Sequence, residues 1–178
     1  LAVGGTTPSY GVIQEAAEYV AESKTTLAVM IRPRGGNFVY NSHELKIIET
    51  DTLKAVESGA QNIVFGALTT DNKIDSDALE TVSIAAQGLP ITFHMAFDEI
   101  TDQKEAIDQL VEFGIDKILM HGGPLDQPLD TDKIKSLIDY AQGKINIIIG
   151  GGVNAENFEE LAQLTGTNYV HGTKIINL

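Results

Sequence analysis

Short apolar runs alternate with longer stretches of mixed polarity along the whole chain. The runs are "TLAVMI" at 26–31, "NIVFGAL" at 62–68, "PITFHMAF" at 90–97, "DKILMHG" at 116–122, "KINIIIGGG" at 144–152 and "NYVHGT" at 168–173. Continuous apolar runs of this length, bounded by turn residues, predict strands buried on both faces, as in a parallel sheet. The stretches between them predict helices. In "DQKEAIDQLVEFG", Ile107, Leu110 and Val111 recur at helical spacing and Gly114 marks the stop. "DTLKAVESGAQNIVF" has the same grammar, with Gly59 ending a helix shortly before the next strand, and "NAENFEELAQLTGTNYV" predicts a helix capped by Asn154 and stopped by Gly166.

Successive strand starts lie about 24 to 35 residues apart, the period of a βα unit whose crossover is a helix. Serial βα units fit an open doubly wound sheet or a closed barrel. The opening, "GGTTPSYGVIQEAAEYV", is a loop and a helix with no strand before them. A βα unit and a further strand ahead of Leu1 would bring the strands to the eight that a barrel needs. The expectation is therefore an α/β protein of the (β/α)8 TIM-barrel class, one domain over 1–178, with its first βα unit and second strand missing from this chain.

Composition narrows the functions. Twenty-five acidic against 12 basic residues leave a formal charge of −13, which opposes binding to nucleic acid or to an anionic membrane. There is no cysteine, so disulfides, thiolate metal sites and thiol nucleophiles are excluded within these residues. No apolar run approaches the ~20 residues of a membrane span, and no basic-then-apolar leader is present, which predicts a soluble, cytoplasmic protein.

The stretches "GGTTPSYG", "VMIRPRGGNFVYNSHE", "IVFGALTTDNKID", "ITFHMAFDE", "IIIGGGVNAENF" and "VHGT" together resemble the CutC family, which is named for copper homeostasis. The resemblance runs from Gly4 to Thr173 and implies a (β/α)8 barrel, copper as the ion handled, and copper-ligating cysteines upstream of Leu1. Met95 stands where family members often have Arg, and "HGG" at 121–123 where they often have Ser-Gly.

Barrel sites form from the loops after the strands, so polar residues there are the candidates. Arg32 and Arg34, the only arginines, flank Pro33 at one strand end. Guanidinium forks match carboxylate or phosphate oxygens, and the alternative is that both pair with the surplus acids. Gly150, Gly151 and Gly152 precede a helix start, an arrangement that admits an oxyanion to backbone N–H groups or simply makes a tight turn. His94, His121 and His171 all fall at predicted strand ends, and His43 in a helix-like stretch. His94 with Asp98 offers an imidazole and a carboxylate for general acid–base work, and His121 and His171 join the substrate-binding set. Three histidines could also hold a divalent metal, and Met30, Met95 and Met120 invite a thioether site for Cu(I), although core packing is the commoner use of methionine. Ser9 is the expected helix cap beside Thr6, Thr7 and Tyr10.

Two functions follow. One, implied by the resemblance, is copper binding or trafficking in the cytoplasm. The other is a barrel enzyme or binder of a small phosphorylated or carboxylated molecule. The expected partners are a copper ion or a small anionic ligand, no nucleic acid, no membrane, and further copies of the chain in a homo-oligomer.

Overall fold

A computed structural model describes residues 4–176 and divides after Thr92 into two compact units. The first contains α1 (Tyr10–Val20), β1 (Ala28–Met30), α2 (Ser42–Glu57), β2 (Asn62–Phe65), α3 (Ser76–Ala85) and the start of β3 (Ile91–Phe93). β1 and β2 are parallel, with Val29 opposite Ile63. The Ile63 N–H donates to the Pro90 carbonyl at the entry to β3. Asn41 begins α2: its side chain accepts from the His43 and Glu44 N–H groups while the Glu44 carboxylate accepts from the Asn41 N–H, a reciprocal capping box. Ile48, Thr52 and Ala55 then form the buried stripe, and Thr52 hides its hydroxyl on the Ile48 carbonyl. Gly59 ends this stretch at φ +94°, where a Cβ would lie 2.9 Å from that of Ala17 on α1.

The second unit follows β3 with a short 3-10 helix (Met95–Glu99), then α4 (Gln103–Glu112), β4 (Lys117–Met120), α5 (Thr131–Ala141), β5 (Asn146–Ile149), α6 (Phe158–Thr165) and β6 (Tyr169–Val170). β4, β5 and β6 pair in parallel, with Leu119 opposite Ile148 and Ile149 opposite Val170. α4 buries Ala106, Ile107 and Leu110 and stops where Gly114 turns to φ +72°. The core of each unit is aliphatic and aromatic: Phe65 lies fully buried in the first, Phe93 and Phe97 in the second. Each such ring contributes on the order of 1.5–3 kcal/mol by leaving water.

The six apolar runs all hold strands, each shorter than its run. The predicted cap of α6 moves by one turn. Asn157, and not Asn154, occupies the cap position, and its side chain accepts from the Asn154 N–H. The Asn154 side chain accepts from Glu156 instead, so "NAEN" makes a turn before the helix begins.

Candidate functional site

Arg32 and Arg34 read alike in sequence, and the fold uses them differently. Arg34 is consumed internally. Its Nε donates to Glu44 at 2.6 Å and Nη2 reaches the second oxygen at 3.3 Å. The remaining donors meet the carbonyls of Gly35, Asn37 and Val39 and the Asn37 side chain. The guanidinium lies 5.2 Å from the centre of the Tyr40 ring. Glu44 raises the Arg34 pKa, chiefly through their hydrogen bond, and the same bond lowers that of Glu44. The loop is thus wrapped around one cation, and the alternative that an arginine pairs with surplus acids describes Arg34.

The Arg32 guanidinium donates to backbone carbonyls and meets no carboxylate within ion-pair distance among the described residues. Its two terminal nitrogens donate to Gly5 and Gly36, and it stacks 4.6 Å from the Phe38 ring centre. Thr7 fixes the backbone beside it, its N–H donating to the Arg32 carbonyl and its hydroxyl oxygen accepting the Arg32 N–H, both at 2.9 Å. Gly4, at φ +77°, lets the loop lie against the guanidinium, since a Cβ there would sit 2.8 Å from Nη1. The Arg32 Nε and the Tyr40 hydroxyl are both buried and neither has a hydrogen-bond partner among the described residues. Burial raises the Tyr40 pKa, and the nearby Arg32 charge pulls it back down. The phenol and the guanidinium therefore lie close together. Ser9 caps α1 as its sequence context predicts, accepting from Val12.

The other candidates belong to the second unit. His94 and His121 are buried and His171 is exposed. The His94 Nδ1 accepts from the Ala96 N–H and caps the 3-10 helix. That helix carries Asp98, whose two oxygens accept from the backbone N–H groups of His121 and Gly122, each at 2.8 Å. Burial raises the Asp98 pKa, and those two hydrogen bonds oppose the rise. Asp98 thereby clamps the 3-10 helix to the end of β4. The His121 ring lies between two carbonyls, with Nδ1 3.0 Å from Gly150 and Nε2 3.0 Å from Gln127. A neutral ring can donate to only one of them at a time.

Gly151 and Gly152 both take positive φ, and a Cβ on Gly151 would fall 2.6 Å from the His121 Nδ1. Together they line a cavity of about 310 Å³ with His121, Leu125, Leu129 and Asn157. Its walls are largely aliphatic, and Glu159 and Glu160 occupy the first turn of α6, where negative side chains compete with an incoming anion for the helix dipole. Gly150 faces another way. A Cβ built on it would lie 3.0 Å from the Met95 methyl, 3.0 Å from Leu119 Cδ1 and 3.3 Å from His171 Cδ2, so Met95 and His171 converge over the bare glycine at the end of β5.

The fold sorts the candidates into two groups: Arg32 and Arg34 in the first unit, and His94, Asp98, Gly150, Gly151, Gly152, His121 and His171 in the second. Among the described residues, no three His, Asp or Glu side chains form a metal-holding group. Sequence reasoning missed Tyr40 and Glu44. Glu44 had a signal in the capping-box spacing of "NSHE", and Tyr40 had none beyond standing between the arginine loop and that box.

Parallel βα units with polar side chains at the strand ends define an α/β protein of TIM-barrel type, and the solved structures agree. An aldolase named QR15 superposes with a TM-score of 0.69 at 16% identity over 90% of this chain and 73% of that one. Deoxyribose phosphate aldolase from Aeropyrum pernix gives 0.67 at 14% identity over 94% and 72%, a likeness of fold alone. The CutC family model matches residues 1–176. A CutC family protein of Streptococcus pyogenes is 57% identical over 99% of this chain and 86% of its own length, and one from Enterococcus faecalis is 48% identical over the same shares. A crystal structure named for copper homeostasis, CutC from Streptococcus agalactiae, has a TM-score of 0.96 at 53% identity, covering 99% of this chain and 86% of that one. The chain belongs to the CutC family of copper homeostasis proteins.

Proposed function

We propose that the protein binds Cu(I) as cargo in the cytoplasm and passes it on. The observation that carries this reading is that the Met95 methyl and the His171 ring carbon Cδ2 both approach the space above Gly150, which brings a thioether and an imidazole side by side. A thioether and an imidazole are the soft and borderline donors that Cu(I) accepts when no thiolate is at hand. His171 is exposed, so the ion can arrive and leave, and Met95 is half-buried, which limits competition from water. Acid–base chemistry at His94 and Asp98 finds less support, because capping of the 3-10 helix engages the His94 Nδ1 and backbone N–H groups engage both Asp98 oxygens.

The test is a Cu(I) competition titration against a chromogenic chelator under reducing conditions. Met95→Leu and His171→Ala are each expected to weaken binding by on the order of tenfold or more, the scale on which even outer-shell changes affect metal sites. Equal affinity in the wild type and both variants would remove Met95 and His171 from the reading. No Cu(I) affinity in the wild type would remove copper binding by these residues altogether.

A further inference from the structure

We propose that the first unit holds a site for a small oxyanion, a carboxylate or a phosphate ester, in which one ligand oxygen accepts from the Tyr40 hydroxyl and the Arg32 Nε–H. The site is independent of copper and uses none of the residues of the second unit.

Charge gives the first reason. The chain carries −13, yet no ion pair among the described residues includes Arg32. Its terminal nitrogens meet neutral carbonyls and its face meets Phe38, so among the described residues no carboxylate stands within ion-pair distance of the positive charge. Arg34, two residues on, shows how this loop treats a guanidinium whose role is internal: every nitrogen is bonded and a carboxylate closes the fork.

Burial gives the second. Tyr40 is only 7% exposed, its ring stacks against Phe65 with centroids 6.4 Å apart, and its hydroxyl has no partner among the described residues. An unpaired buried hydroxyl is costly, and an adjacent unpaired guanidinium N–H adds to the cost, so the two together call for an acceptor. Both groups are donors toward that acceptor, which selects an oxygen anion over a cation or an amine.

Rigidity gives the third. The Gly4–Thr7 loop locks Arg32 through Gly5, Thr7 and the close approach of Gly4, and the Phe65 stack fixes the Tyr40 ring. A donor pair held this way loses little freedom when a ligand binds. Glu44, the acid near Tyr40, is paired with Arg34, which screens its charge.

The experiment is isothermal titration of the whole chain with inorganic phosphate and, separately, with acetate, using wild type, Tyr40→Phe and Arg32→Lys. Tyr40→Phe removes one oxygen and keeps the ring, and circular dichroism confirms that the variant folds. The expected result is saturable binding of at least one anion, weakened about tenfold to a hundredfold in Tyr40→Phe, as for loss of one hydrogen bond to a charged group. Arg32→Lys should weaken it as well, because an ammonium cannot reproduce the Nε–H geometry. Binding of phosphate alone assigns the ligand to phosphate esters, and binding of acetate alone to carboxylates. Unchanged affinity in a folded Tyr40→Phe, or no binding of either anion by the wild type, overturns the proposal.

Discussion

Arg34 and Glu44 form a two-point ion pair, with Nε to Oε1 at 2.6 Å and Nη2 to Oε2 at 3.3 Å, and Oε2 also accepts the N–H of Asn41 at the start of α2. One carboxylate thus joins the arginine loop to the helix cap. Because the pair lowers the Glu44 pKa in the folded state, its stabilisation is fully present above the ordinary carboxylate pKa and is lost as pH falls through the lowered value. Glu44→Gln should lower the melting temperature at pH 7 and reduce its fall on acidification, as measured by thermal scans from neutral pH downward. Parallel curves for variant and wild type would show that the pair does not contribute.

The two arginines should separate in stability measurements. Arg34→Ala leaves carbonyls of the 35–39 loop and the Glu44 carboxylate without their donor, whereas Arg32→Ala strips donors from Gly5 and Gly36 only. Arg34→Ala should therefore show the lower melting temperature of the two in calorimetry.

Asp98→Asn should destabilise the protein. Both carboxylate oxygens accept backbone N–H groups, and an amide would turn an NH2 toward one of those donors. The expected cost is about 1–3 kcal/mol, read from denaturant midpoints at unchanged m. A loss of Cu(I) affinity in this variant with no loss of stability would instead place Asp98 in the binding chemistry.

Gly150→Ala tests the copper reading from the backbone side. The added methyl would press on the Met95 methyl and the His171 ring, which must move by a few tenths of an ångström. Cu(I) affinity should fall in the chelator titration, while anion binding at Arg32 and Tyr40 stays as in the wild type.

Phe97→Ala removes a fully buried ring next to the residue that clamps the 3-10 helix. A cost of about 3–5 kcal/mol is expected for such a truncation, measured by chemical denaturation.

Much of the fold was readable in the sequence because β2, β3 and β4 are largely buried on both faces. The three residues of β3 and the last three of β4 are all inaccessible, so apolar runs mark them without ambiguity. Strand lengths were less readable, since residues such as Ile31 keep a ladder-like bond, its N–H donating to Val64, beyond the regular strand. Asn154 and Asn157 are chemically the same cap candidate three residues apart, and only backbone φ and ψ decide between them. At the site, the strand-end positions of His94, His121 and His171 followed from the pattern. Their partners did not, because each depends on a carbonyl or N–H that arrives from another loop. The contrast between Arg32 and Arg34 was hidden for a similar reason: it turns on Glu44, which lies ten residues away from Arg34 in the chain.

α1 is attached differently from the other long helices. Ile13 is its one buried residue, Tyr19 is 89% exposed, and the contact with α2 at Gly59 is made through the small side of Ala17. Few buried apolar contacts mean a low free energy of local opening. Its amides should trade deuterium with solvent well before those of α3 and α4, each of which buries four residues. Exchange at α1 ahead of α3 and α4 would mark the first helix as the least protected of the three.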